Sequence, residues 1–234
     1  MRHFLLAALA VCSLLPLPTE LDALAYYANN GSVTVGEIVE PSEAEALGPV
    51  VDERMGRTWK VAGLFGTGSA GLVHINEIGP DMYSLYFLSA AHVTNENGTR
   101  FALINEVHGL HIGMASASFV HPTEDAVLLS AVVDAKTAAA CLPLLMDLRW
   151  ENLNLGERVL LDGFGAGDRW ISEGRVSAPR RISIDLFFGD SGSPLQDAEG
   201  RVCGIVVMRG PAPHHGHIVP MVAIQEWMDS LAIR

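Results

Sequence analysis

The sequence predicts an all-β fold closed by a single C-terminal helix. Three observations carry this reading. Short apolar runs of strand length alternate with turn residues, 23 glycines and 12 prolines are spread through the chain, and one helix-spaced apolar face lies near the end. Hydrophobic residues make up 49% and charged residues 18% of the chain, enough to bury a real core and unlike a disordered composition. A net charge of −12, with Lys and Arg dispersed, excludes nucleic acid as a partner, because that needs a basic face to displace counterions.

In chain order, residues 1–25 read as a secretory signal peptide. Met1-Arg2-His3 is a short basic start, Phe4 to Leu15 is mostly apolar, and Ala23-Leu24-Ala25 supplies the small residues of a cleavage site. The apolar stretch, followed by Pro16 and Pro18, is shorter than the roughly 20 residues that span a bilayer. The reading is a cleaved leader, no membrane association afterwards, and a secreted or periplasmic, extracytoplasmic location. Residues 26–57 form an acidic N-terminal extension or propeptide, with Glu37, Glu40, Glu43 and Glu45 ahead of Arg54 and Arg57.

Trp59 to about Ser130 holds a first set of short strands. Asn95-Glu96-Asn97-Gly98 and Glu106-Val107-His108-Gly109 are its turn signals. The segment Val132 to Asn154 contains an Ala-rich piece and a crossing. Glu157 to Ile218 holds a second strand set, with loops at Gly163–Gly167 and Gly210–Gly216. Met221, Ile224, Trp227, Met228 and Leu231 are spaced like one helix face, and Pro220 stands just before its start.

Chemistry enters with Gly189-Asp190-Ser191-Gly192-Ser193-Pro194. Such a turn exposes a serine oxygen and aims the backbone N–H groups of Gly189 and Ser191 at one point, a nucleophile beside an oxyanion hole. Two more segments accompany it. His92 follows an Ala pair at the end of the strand-like run Tyr83 to Leu88, and Asp125 opens the apolar run Ala126 to Leu129. Buried there, an unpaired carboxylate costs several kcal/mol or more, so Asp125 needs a partner. Each residue alone has a bland reading: a core histidine, a loop acid, a turn serine. Together, in the order His, Asp, Ser, they point to one site.

These motifs resemble those of the chymotrypsin-like (trypsin-fold) serine peptidases, in the compact, disulfide-poor form of bacterial or viral members. Leu88-Ser89-Ala90-Ala91-His92, Asp125-Ala126-Val127-Leu128-Leu129 and Gly189-Asp190-Ser191-Gly192 match the family's three triad motifs, with one Ala/Val exchange in the second. Gly66-Thr67-Gly68-Ser69-Ala70-Gly71-Leu72-Val73, Ala140-Cys141-Leu142-Pro143, Asp162-Gly163-Phe164-Gly165 and Gly204-Ile205-Val206-Val207 fall in register before, between and after them. The resemblance implies two six-stranded antiparallel β-barrels packed at an active-site cleft. The first would span 58–140 with His92 and Asp125, a linker 141–155, the second barrel 156–220 with Ser191, and the helix 221–234. It implies a serine endopeptidase that acts on polypeptides as a monomer, through His92, Asp125 and Ser191, with no cofactor. The competing readings are a non-catalytic serine-protease homologue used for binding, and an esterase. The lipase-type Gly-x-Ser-x-Gly elbow is absent, since Ser193 stands at its last glycine.

Departures from the family matter as much. Thr67, Val93 and Phe187 stand where secreted animal members carry disulfide cysteines, and Cys141 and Cys203 either pair with each other or are buried thiols. In the digestive enzymes the acid at Asp190 pairs with a new N-terminus made by cleavage, and in several bacterial members with an internal arginine. Arg158, Arg169 and Arg175 are candidates for the second option. Asp185 lies at the offset of the acid that selects Arg or Lys, unless Ile182-Ser183-Ile184-Asp185 continues a strand and points the acid elsewhere. His217 is a second candidate pocket residue. The group His214-His215-x-His217 lacks complementary Cys or His ligands, so no metal is expected.

Overall fold

Alternation and double-sided burial shape the strands of this computed structural model, which describes residues 56–64, 66–97, 100–209 and 215–233. The expected signal peptide, the extension apart from Gly56 and Arg57, and His214 lie outside the described residues. Strands β1 (Thr58–Ala62), β2 (Thr67–Gly79), β3 (Met82–Ser89), β4 (Phe101–Asn105), β5 (Leu110–Val120) and β6 (Val127–Asp134) form one closed barrel in the order β1-β2-β3-β6-β5-β4. Strands β7 (Arg158–Gly163), β8 (Trp170–Ala178), β9 (Arg181–Ser183), β10 (Pro194–Gln196), β11 (Val202–Arg209) and β12 (Gly216–Pro220) form a second, in the order β10-β11-β12-β9-β8-β7. β1 closes on β4 through Val61↔Leu103, and β10 on β7 through Leu195↔Leu161, so every strand edge is paired. The two six-stranded antiparallel barrels expected from the motifs are present.

The apolar run after Asp125 is continuous because both faces of β6 are buried. Val127, Leu129 and Ala131 point into the first barrel with Trp59, Leu72, Leu85, Phe87 and Leu103. Ala126 and Leu128 point the other way, into a second core with Val73, Leu88, Met146, Val202, Ile205 and Val219. That second core is closed by the C-terminal helix, which buries Met221, Ile224 and Met228. Val159, Leu161, Val176, Ile182, Leu195, Val206 and Ile218 fill the second barrel. Inside the first, Trp59 meets Phe87 edge-on with ring centroids 5.2 Å apart.

One expectation needs correction. Asn95 to Asn97 do not form a turn; they complete helix α1 (Ala91–Asn97), which starts just after β3. Tertiary packing overrides local propensity there, because Ala91 and Val93 are buried in the first-barrel core. Of the two readings open for Cys141 and Cys203, the buried free thiols are the one observed. Cys141 ends helix α2 (Ala135–Cys141) in the first-barrel core, Cys203 lies in the second, and both are free and buried. Burial pushes their thiols up to about 11 and about 12, which leaves them unreactive at neutral pH. The remaining helix, α3, is Met221–Ser230.

Leu161, fully buried in the second barrel, and Leu155, 77% exposed, give a direct test of this packing. Leu161→Ala is expected to lower the unfolding free energy by about 2–5 kcal/mol, and Leu155→Ala to leave it within about 0.5 kcal/mol. Urea unfolding of the two variants measures both.

Candidate active site

β3 ends at Ser89, and its continuation into α1 places His92 in the helix's first turn. Asp125 stands just before β6, which pairs along the full length of β3. The two side chains therefore meet, although 33 residues separate them: Asp125 Oδ2 lies 2.6 Å from His92 Nδ1, and Oδ1 accepts the His92 backbone N–H at 2.9 Å. Burial pulls the Asp125 carboxyl upward, but the hydrogen bonds and charge of His92 outweigh it and hold Asp125 below the usual carboxylate value. An ionised carboxylate only accepts hydrogen bonds. The ring proton of neutral His92 is thus on Nδ1, and Nε2 carries the lone pair.

Next to Asp125, Glu124 is clamped from the second barrel. Arg180 donates from both terminal nitrogens to its two oxygens at 2.6 and 2.8 Å, a bidentate pair across the strand sets. The side-chain hydrogen bond from Arg180 lowers the Glu124 pKa, with burial acting against it.

Ser191 sits in a turn fastened on several sides. Its carbonyl accepts the backbone N–H of Ser69 in β2 at 2.8 Å. A Cβ added to Gly192 would lie 2.1 Å from the Ser69 carbonyl and 3.0 Å from the Ala90 nitrogen, two residues before His92. A Cβ on Gly68 would meet Val93 at 2.7 Å and the Ser191 carbonyl at 3.1 Å. The serine turn is therefore packed against the start of the histidine helix.

The segment before the serine has the type II turn pattern. Asp190 donates its N–H to the Phe187 carbonyl at 3.2 Å, and Gly189, the third residue, has φ +105°. A Cβ there would meet the Phe164 carbonyl at 2.2 Å, so only glycine fits. The Phe188 carbonyl accepts the N–H of Ala166 at 2.6 Å. The peptide is planar and trans, so the Gly189 N–H points away from the Phe164–Gly167 turn. Ala166 itself has φ +56°, an unusual conformation for a residue with a side chain.

This closed pair of barrels with His92 and Asp125 on the first and the serine turn on the second decides the architecture. The fold is the chymotrypsin-like double barrel. Solved structures similar to it include Rv3671c from M. tuberculosis H37Rv, an inactive form with a serine-to-alanine substitution, at TM-score 0.62 and 19% identity, covering 85% of this chain and 97% of that one. A second inactive form of the Rv3671c protease matches at TM-score 0.61 and 20% identity, covering 83% and 98%. A serine endoprotease from Yersinia pestis matches at TM-score 0.61 and 17% identity; the match takes in 78% of this chain and 65% of that longer one. No protein-family model and no curated protein matches the chain.

Within the chymotrypsin-like frame, none of the three arginines expected near Asp190 reaches it. Arg158 pairs with Glu173, Arg169 with Asp162 at 2.8 and 3.2 Å, and Arg175 bonds the Gly156 carbonyl. Asp190 instead accepts the indole N–H of Trp170 and the backbone N–H of Phe187, each at 2.7 Å. Arg169 is held by Asp162 because that acid is fully buried and also accepts the Gly56 N–H at 2.6 Å.

Ile182, Ile184 and Leu186 alternate inward, so Asp185 is exposed on the opposite face. His217 pairs with Arg181 of β9 and Met208 of β11. Among the described residues no group of three or more His, Cys, Asp or Glu could hold a metal. Sequence reasoning missed Ser69, whose hydroxyl donates to the Gly189 carbonyl at 2.8 Å and accepts the Phe164 N–H at 3.2 Å. A serine set among small residues, Gly68-Ser69-Ala70-Gly71, near the start of β2 was its signal.

The tight packing around Gly192 sets an expected contrast. Gly192→Ala forces a Cβ against backbone and is expected to unfold the turn and lower Tm by many degrees. Gly167→Ala, at φ +94° with open space around it, is expected to cost only about 1 kcal/mol of backbone strain. Thermal unfolding of both variants checks this.

Proposed function

We propose that the protein is a serine endopeptidase that hydrolyses peptide bonds through His92, Asp125 and Ser191 by way of an acyl-enzyme. The double hydrogen bond from His92 to Asp125, with the serine turn packed against the same helix start, is the observation that carries this reading. Asp125 orients His92 and stabilises its charged form. His92 Nε2 takes the Ser191 proton as Oγ bonds to the peptide carbonyl carbon, and the carbonyl electrons move to oxygen. The N–H groups of Gly189 and Ser191 receive that oxyanion, and one such donor is typically worth about 2.7–4 kcal/mol. His92 then returns the proton to the departing amine. Water, activated by the same histidine, releases the acyl group from Ser191.

A fluorophosphonate probe tests this directly. The purified protein is expected to carry the adduct on Ser191, and Ser191→Ala to carry none while keeping its Tm. In peptide hydrolysis His92→Ala is expected to lose about 10⁴-fold or more in kcat. Failure of the wild type to label or hydrolyse would favour the competing reading, a serine-protease homologue that binds without cutting.

The amino-terminal segment supports export, with polypeptide substrates met outside the cytoplasm. For specificity, Asp185 and His217 are carried as the candidate pocket residues. Leu186 is buried and lies where a Cβ on Gly216 would meet it at 2.3 Å, and Phe187 and Phe188 are exposed beside the nucleophile turn. These apolar groups favour small or apolar side chains before the cleaved bond. A peptide library digest is expected to show no enrichment of Arg or Lys there. An enrichment that vanishes in Asp185→Ser would instead put Asp185 at the base of the pocket.

A further inference from the structure

Asp190 is 1% exposed and lies one residue before the nucleophile. Each of its oxygens takes an N–H: Oδ1 from the Trp170 indole and Oδ2 from the Phe187 backbone, both at 2.7 Å, and the Gly165 backbone N–H donates as well. All three donors are neutral. Two of them belong to segments that shape the serine turn, since Phe187 opens that turn and Gly165 lies in the loop that receives the Phe188 carbonyl through Ala166. The indole fits because residue 165 is glycine: a Cβ there would lie 2.6 Å from Trp170 Nε1. The Trp170 ring also meets Phe187 edge-on, with centroids 4.8 Å apart.

Resting on the hydrolase reading above, we propose that Trp170 is a positioning residue for the nucleophile turn. Its indole N–H fills the place of a cation at Asp190, and through Asp190 it sets the peptide that carries the Gly189 N–H. Charged groups on the neighbouring elements are engaged elsewhere. Arg169, next to Trp170, and Asp162 of β7 bind each other; Lys60 of β1 donates to the Gly167 carbonyl at 2.6 Å; and His92 of α1 bonds Asp125.

A pH response follows from having neutral donors only. Burial is the dominant influence on Asp190 and raises its pKa to about 6, with the bonds from Phe187, Trp170 and Gly165 acting against it. A carboxyl that gains a proton there loses the charge that strengthens these hydrogen bonds, so the contacts with its donors weaken and the turn loosens. Trp170→Phe keeps an aromatic ring and deletes the N–H. Its loss removes an influence that favours the carboxylate, so the proton binds more tightly and the acid limb of activity moves to higher pH.

The test has two arms with separate failure modes. In ¹⁵N-labelled wild type, the indole resonance that is absent from Trp170→Phe is expected to titrate with a midpoint of about 6, together with the amides of Phe187 to Ser191. In Asp190→Asn that titration is expected to vanish. In the second arm, fluorophosphonate labelling of Trp170→Phe is expected to slow about tenfold or more, with its acid limb shifted upward and Tm little changed. An indole signal that ignores both pH and Asp190→Asn overturns the proposal. So does a Trp170→Phe protein that labels at the wild-type rate with an unchanged pH profile. If the wild type does not label at all, the hydrolase reading fails, and the resonance titration alone decides whether Trp170 and Asp190 set the turn.

Discussion

One buried serine ties the two barrels to each other at the point where chemistry would occur. Ser69 uses every polar group it has. Its N–H goes to the Ser191 carbonyl, its hydroxyl to the Gly189 carbonyl, its oxygen accepts from Phe164, and its own carbonyl accepts the Ser89 hydroxyl at 2.7 Å. Buried polar groups are costly unless satisfied, so each of these bonds removes a penalty that burying Ser69 would otherwise carry. The carbonyl of Ser191, the carbonyl of the glycine two residues earlier and the loop at Phe164 are thereby set from one strand of the opposite barrel. His92 rides on the helix that follows Ser89, so the same network reaches the histidine.

The strands were legible because their causes are local. An apolar run with both faces buried is written in consecutive residues, as in Ala126 to Leu129. A helix with one face on the core is written at spacings of three and four, as in Met221, Ile224 and Met228. The candidate site was legible for a related reason: Ser191 and its glycines need a particular backbone, and that need shows as a short string. The helix at Ala91 to Asn97 was missed because its asparagines advertise a turn, while the buried Ala91 and Val93 that decide the matter look like any apolar pair.

What could not be read lies in pairings between distant positions. Ser69 and Gly189 are 120 residues apart, and Phe164 and Ser69 95 apart. The partner of Asp190 was sought among arginines because the resemblance to bacterial members implies one. Arg169 is near enough in sequence, but Asp162, wholly buried one strand earlier, takes it. A single competing acid thus redirects the cation and leaves the indole next door to serve Asp190. Nothing in the string of residues ranks two acids for one arginine; the geometry of β7 against the start of β8 does.

The two acids of the candidate site then respond to pH in opposite senses, though burial pushes both the same way. At Asp125 the hydrogen bonds and charge of His92 win, and its pKa falls. Its contribution to folding is therefore present above the ordinary carboxylate value of 3.8 and is lost as pH falls through the lower folded value. At Asp190 burial wins over neutral donors, and the pKa rises to about 6. Protonation of that group favours the folded chain progressively as pH falls from about 6 toward 3.8, even as it strips the turn of the carboxylate that holds it. Stability and turn geometry are thus uncoupled at mildly acid pH. The scaffold gains from a proton that the serine turn loses by.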